Sequence, residues 1–99
     1  MVYVQFSKAT SPSKKMKAVF YDNNFNKIKT TQFGAYGMSD YTKHKDPDRK
    51  DNYLSRHRSR ENWRDYKSAG ALSRWILWNK PTLKASINDY MRRFNLKKY

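Results

Sequence analysis

Two segments near the start of the chain alternate between apolar and polar side chains. Their apolar positions are Val2, Val4, Phe6, Met16, Ala18 and Phe20. A half-buried β-strand produces this period of two, because successive side chains point to opposite faces of a sheet. Asp22 to Asn24 tolerate the positive φ of a tight turn, and a third strand is expected over Lys27 to Phe33. The pattern predicts an N-terminal three-stranded antiparallel meander.

The rest of the chain has the pattern of three helices. The first is predicted to start at Asp46-Pro47 and to end at about Arg60, because an aspartate caps free backbone N–H groups and proline suits the first helical position. The second covers residues 68–79. The third follows Lys80-Pro81, which places another proline at a first turn.

The second and third predicted helices each carry an apolar stripe at helical spacing. The stripe residues are Leu72, Trp75, Ile76, Leu83, Ile87, Met91 and Phe94. We expect these two helices to pack as a helical hairpin and to cover one face of the sheet. The sequence therefore predicts a single α+β domain over residues 1–99, with the meander followed by three helices.

The formal net charge is +14, from 22 lysine and arginine residues against 8 aspartate and glutamate residues. Both halves of the chain carry the excess, so it is not confined to a tail. A folded domain with this charge repels itself, and bound phosphate groups would relieve the repulsion. We therefore expect a polyanionic partner, with nucleic acid first and DNA favoured over RNA.

The composition also argues against several protein classes. The chain has no cysteine, which excludes disulfides and thiolate metal sites. Its longest uncharged apolar run, Trp75 to Trp78, is far shorter than a bilayer span, and no apolar signal region opens the sequence. We expect a protein that is neither secreted nor bound to a membrane, without cofactor, metal or catalytic residues.

The first predicted helix carries a stripe of arginines. At about 100° per residue, Arg49, Tyr53, Arg56 and Arg60 fall in one narrow sector. The planar guanidinium fork donates paired hydrogen bonds to phosphate, and a tyrosine among arginines can stack on a base. The sequence predicts a nucleic-acid-binding stripe here, and the alternative is a solvated helix face that only keeps the domain soluble.

The third predicted helix offers a second candidate surface. Lys84, Asn88 and Arg92 recur at i, i+4 and i+8 on its polar face, and a short turn joins it to the helix before it, as in a helix-turn-helix. Asparagine and arginine can read adenine and guanine edges in the major groove. The alternative is an ordinary helix pair with a polar outer surface.

Tryptophans and histidines allow two further hypotheses. Trp63 lies in a predicted connection and is the best candidate for an exposed stacking ring, although burial against the sheet is expected for most such rings. His44 and His57 lie in the sequence near four aspartates and could serve a metal-dependent nuclease. The four aspartates are Asp40, Asp46, Asp48 and Asp51. The spacing of these histidines and aspartates matches no metal-binding motif.

Two longer segments carry a family resemblance. They are residues 39–50, continued by Arg56-His57-Arg58 and Glu61-Asn62-Trp63, and residues 69–83. Together they resemble an uncharacterised family of small basic proteins encoded by large double-stranded DNA viruses of algae and amoebae, over roughly residues 16–96. The resemblance transfers no functional residue.

The resemblance implies a viral setting, in the virion or in the viral factory of the host cytoplasm. A cationic domain there would associate with or compact the genome. The main alternative is a minor structural or capsid-lining protein whose basic surface contacts viral capsid or core proteins. A homo-oligomer is a further candidate assembly.

Overall fold

A computed structural model describes residues 1–99 and has mixed α+β content, so the predicted fold class is confirmed. The strands are β1 (Tyr3–Lys8), β2 (Lys14–Tyr21), β3 (Lys27–Ala35) and β4 (Lys97–Lys98). The helices are α1 (Tyr41–His44), α2 (Pro47–His57), α3 (Ala69–Leu72) and α4 (Leu83–Arg93), and a π-helical segment (Ser73–Leu77) continues α3. None of the helices combines the length and the apolar character that a bilayer crossing requires.

The four strands form one sheet in the order β3-β2-β1-β4. β1 pairs with β2 and β2 with β3 in antiparallel fashion, while β4 runs parallel to β1. The predicted three-stranded meander is therefore wrong as a description of the sheet, which has a fourth, parallel strand. Lys97 and Lys98 show no apolar alternation, so the sequence pattern did not indicate this strand. β4 joins the sheet through backbone hydrogen bonds from Lys97 N to Val2 O and from Tyr99 N to Val4 O, each of 3.1 Å.

The start of α2 is confirmed, and its end is not. The Asp46 side chain accepts hydrogen bonds from the backbone N–H groups of Asp48 and Arg49, and Pro47 occupies the first turn. The helix ends at His57, so Arg60 lies in the turn that follows. A short helix that the pattern did not predict, α1, precedes it and is capped by the Asp40 carboxylate.

The second predicted helix is a short α-helical turn followed by the π-helical segment. Trp78 N donates to Ser73 O over 3.1 Å, a bond that spans five residues. The wider turn brings Leu77 into the core beside Leu72 and Ile76. α4 packs against this segment, so the helix packing differs from the predicted hairpin of two regular helices.

The core lies between the helices and one face of the sheet. Its most buried members are Val4, Ala18, Phe20, Phe33, Leu72, Ile76, Leu77, Tyr90 and Leu96. Trp75, Ile87, Met91 and Phe94 are partly buried against this cluster. Leu83 is 39% exposed and does not belong to the core as predicted. It lies in the first turn of α4 and lines a groove together with Tyr36 and with Thr42 of α1, whereas the buried side of α4 is centred on Ser86 and Tyr90.

No helix covers the opposite face of the sheet, which we call the open face. The pairing register places Tyr3 opposite Tyr21 and Gln5 opposite Val19 on this face. Near the far end of β3, Gly34 has a φ of +79°, and a Cβ atom there would lie 2.7 Å from Leu77 Cδ1. A glycine at this position lets the π-helical segment approach the strand closely.

Candidate nucleic-acid interface

The arginines of the predicted stripe lie on the outer surface of α2 and in the turn after it. Arg49, Arg56 and Arg60 are all exposed. In the whole chain only Lys15 and Arg93, out of 22 lysines and arginines, lie within ion-pair distance of a carboxylate. The three arginines therefore have no carboxylate partner that a phosphate would have to displace.

Tyr53 does not share the exposure of these arginines. Its ring is 9% exposed and lies parallel to the Trp78 ring, with 4.2 Å between ring centroids, while His57 stacks at 4.2 Å as well. Burial, with a smaller contribution from the Glu61 charge, raises the pKa of Tyr53 to about 12. Tyr53 packs on the rest of the domain, and this burial does not favour the predicted stacking of its ring on a base.

A cleft of about 460 Å³ lies between the β2 and β3 ends and the second half of α2. Three cationic side chains line it, those of Lys14, Lys15 and Arg56. Both lining carboxylates are already occupied by protein partners. Asp40 accepts from Lys15 Nζ at 2.5 Å, and Glu61 lies 2.9 Å from His57 Nδ1. The cleft therefore presents Lys14 and Arg56 as its unpaired charges.

The two histidines of the nuclease hypothesis have separate surroundings. His57 pairs with Glu61, whereas His44 Nδ1 accepts a hydrogen bond from Asp46 N at 3.0 Å and its ring lies against Trp78. No group of three or more His, Asp or Glu side chains is arranged to hold a metal ion.

Lys84, Asn88 and Arg92 are exposed along α4. They lie on the side away from its buried residues, Ser86 and Tyr90. The element before α4 is an α-helical turn with a π-helical segment, so the pair departs from helix-turn-helix geometry. This face remains a polar surface that could meet phosphate.

A cluster of arginines and tryptophans lies where the sequence predicted core packing. The Arg74 and Arg93 guanidinium carbons lie 4.2 Å and 4.0 Å from the Trp75 ring centroid. Trp63 is half-buried beside Arg74 and donates from Nε1 to Glu61 at 3.0 Å, so it is not a free stacking ring. Burial lowers the pKa of Arg74, and the Arg93 charge lowers it further. Only the tertiary fold brings Arg93 here, which the sequence pattern could not indicate.

A family model described as a family of unknown function (DUF5754) matches residues 4–57, more than half of the chain. The chain belongs to this family. No curated protein and no solved structure matches it.

The DUF5754 match covers the three long strands together with α1 and α2. It includes Arg49, Tyr53 and Arg56 but ends before Arg60. The candidate surface of α4, with Lys84 and its neighbours, also lies beyond it. The DUF5754 segment therefore contains β2, β3, all of β1 except Tyr3, and most of the arginine stripe. The remaining helices supply most of the core partners of the sheet.

Proposed function

We propose that this DUF5754 protein is a non-enzymatic nucleic-acid-binding protein with weak sequence selectivity. The observation that carries the proposal is the surplus of cationic side chains without a carboxylate partner. All but two of the 22 lysines and arginines are in this state. Ordinary surfaces intersperse charges of both signs, whereas this one attracts polyanions over much of its area.

The arginines of α2 are the proposed phosphate contacts. Arg49 and Arg56 are exposed on α2 and Arg60 is exposed in the turn after it, while Tyr53 of α2 packs on Trp78 and holds the helix against the domain. Arg56 also lines the cleft that Lys14 enters, so phosphates can be held from two elements. Lys84, Asn88 and Arg92 on α4 form a second proposed contact. Such contacts to the backbone position a nucleic acid but carry little sequence information.

The viral setting belongs to the same proposal. A cationic domain that neutralises phosphates without reading bases would associate with or compact a DNA genome, in the virion or in the viral factory of the host cytoplasm. DNA is favoured over RNA as the partner.

The test is a salt titration of duplex binding by fluorescence anisotropy. We expect affinity for mixed-sequence duplex DNA to fall as a power law of salt concentration, because neutralised phosphates release counterions. Replacing Arg49, Arg56 and Arg60 by glutamine should make the log-log slope shallower by roughly 0.9 per lost contact. Absence of duplex binding at about 50 mM salt, where such contacts are strong, would refute the proposal.

The matched control removes the same charge elsewhere. Lys8, Lys43 and Lys98 are exposed, lie on β1, α1 and β4, and do not belong to the arginine stripe. Their replacement by glutamine should weaken binding much less than the arginine triple change. Equal losses would show diffuse attraction to net charge and no defined phosphate site.

One observation favours the second candidate, a minor structural or capsid-lining protein. Tyr36, Met38 and Leu83 are 72%, 64% and 39% exposed, and Tyr36 and Leu83 line a groove of about 410 Å³. Exposed apolar side chains gathered at one end of a domain favour a protein contact. Pulldown of viral capsid or core proteins that persists at high salt and is lost in Tyr36→Ser would favour this candidate.

A further inference from the structure

Four aromatic rings gather at one end of the open face, and we call them the aromatic platform: Tyr3, Tyr21, Phe25 and Tyr99. Tyr21 and Tyr99 stack in parallel, with 3.6 Å between ring centroids. Phe25 lies 4.9 Å from Tyr3 and 5.9 Å from Tyr99, edge to face with the latter. The platform combines β1, β2, the turn after β2 and the residue after β4, so the fold assembles it from distant parts of the sequence.

Two rings of the platform are well exposed. Phe25 is 55% exposed and Tyr99 is 47% exposed. Phe25 has a φ of +61°, a left-handed backbone conformation that a bulky side chain rarely adopts. The Asp22 carboxylate holds this turn by accepting from the N–H groups of Asn24 and Asn26, each at 2.9 Å. The chain thus keeps a strained residue in place although about half of its large apolar side chain is exposed to solvent.

Two lysines flank the platform. The register pairs Lys97 with Tyr3 and Lys27 with Tyr21. Neither of these lysines forms an ion pair. The nearest carboxylate in the sequence, that of Asp22, is occupied by the turn. Exposed rings among unpaired lysines are complementary to a chain of bases and phosphates.

We propose that the aromatic platform binds single-stranded nucleic acid by stacking bases on Phe25 and Tyr99, while the surrounding lysines contact its phosphates. The proposal rests on the proposed function and names a substrate class for a second surface. Bases in a duplex are stacked on each other and cannot lie flat on a protein ring, whereas single-stranded bases can. Stacking needs no particular base, so the surface is expected to be sequence-tolerant.

The test compares two probes on the full chain at one salt concentration. They are a labelled oligothymidylate of about 12 nucleotides, within the usual site size of such surfaces, and a mixed-sequence duplex of equal length. Phe25→Asn removes a ring while introducing a residue that tolerates positive φ, so folding is preserved. Tyr99→Leu keeps apolar bulk without aromaticity. Each should weaken oligothymidylate binding roughly 5- to 150-fold, the usual loss per stacked base, and leave duplex binding unchanged.

Two further variants control for exposure and for the hydroxyl. Tyr36→Leu removes a more exposed ring that lies outside the platform, and it should leave oligothymidylate binding unchanged. Tyr99→Phe keeps the stacking surface and should bind like the parent.

The outcomes separate the two proposals. If Phe25→Asn and Tyr99→Leu bind oligothymidylate like the parent while the parent binds duplex, the platform is refuted and the proposed function stands. Equal weakening on both probes also refutes the platform. If Phe25→Asn or Tyr99→Leu loses a dimer that the parent forms in sedimentation, yet still binds oligothymidylate, a second copy covers the open face and the platform is refuted. A parent protein that binds neither probe refutes both proposals.

Discussion

The two faces of the sheet use aromatic residues in opposite ways. On the covered face, Phe20 and Phe33 are fully buried, and Tyr90 of α4 is buried in the same core cluster. On the open face, Tyr21 stacks on Tyr99, which is 47% exposed. Adjacent residues of β2 thus have different environments solely because side chains alternate along a strand. A high aromatic content in a basic chain can therefore supply both a core and a surface.

The largest expected difference between the faces is at Phe20 and Tyr21. Phe20→Ala removes a fully buried ring and should lower the free energy of unfolding by about 3 to 5 kcal/mol. Tyr21→Ala removes a half-buried ring and should have less than half of this effect. Urea denaturation followed by circular dichroism measures both. Similar losses would show that the open face also contributes to the core.

Leucine positions test the same contrast within the helical layer. Leu72 is fully buried, whereas Leu83, which the apolar stripe assigned to the core, is 39% exposed. Leu72→Ala should destabilise the domain by about 2 to 5 kcal/mol, and Leu83→Ala by under about 1 kcal/mol. Thermal denaturation of the two variants side by side provides the comparison. A large loss for Leu83→Ala would place α4 deeper in the core than the structure does.

Two glycines with positive φ allow the stability cost of backbone strain to be measured apart from the cost of close packing. An added Cβ at Gly34 would meet Leu77 Cδ1 at 2.7 Å, whereas at Gly37 nothing lies within 4 Å. Gly37→Ala should lower stability by about 1 to 2 kcal/mol from strain alone. Gly34→Ala should lower it further, since the π-helical segment must also shift. Equal melting temperatures for the two variants would contradict the close approach of this segment to β3.

The smallest effect is expected at alkaline pH. The folded domain keeps the Tyr53 phenol protonated up to a pKa of about 12, while the unfolded chain ionises near the ordinary value of 10.0. The stabilisation is therefore complete below pH 10 and is lost as the pH rises to about 12. At pH 11 this ionisation should lower the free energy of unfolding of the parent by on the order of 1 kcal/mol, and Tyr53→Phe should abolish that loss. Urea midpoints from pH 8 to 11 that fall equally in parent and variant would contradict this expectation.

Sequence patterns predicted the elements whose residues interact locally. The Asp46-Pro47 start of α2 was predictable because the capping bonds join residues two and three apart. β4 was not, because backbone groups of β1 select Lys97 and Lys98 without regard to their side chains. The π-helical segment was not predicted for a related reason. One extra residue in a single turn does not visibly change the spacing of apolar residues in so short a stripe.

The candidate site likewise contains residues whose placement could be predicted from the sequence and residues whose placement could not. Exposure of Arg49 and Arg56 follows from their charge, which strongly disfavours burial without a partner. Tyr53 has the same angular position but an amphipathic ring, and only the presence of Trp78 opposite it decides that it is buried. The aromatic platform depends on strand pairing and on the conformation at Phe25, so no local pattern indicated it.

β3 is the outermost strand on its side of the sheet, and its first four residues, Lys27 to Thr30, are exposed. Such a strand offers unpaired backbone groups to another copy of the chain, and Ile28, at 45% exposure, adds an apolar contact. Lys27 and Lys29 oppose this association because two edges brought together would place like charges side by side. Salt screens that repulsion, so we expect self-association, seen by light scattering, to increase with ionic strength, whereas the proposed polyanion binding is expected to decline.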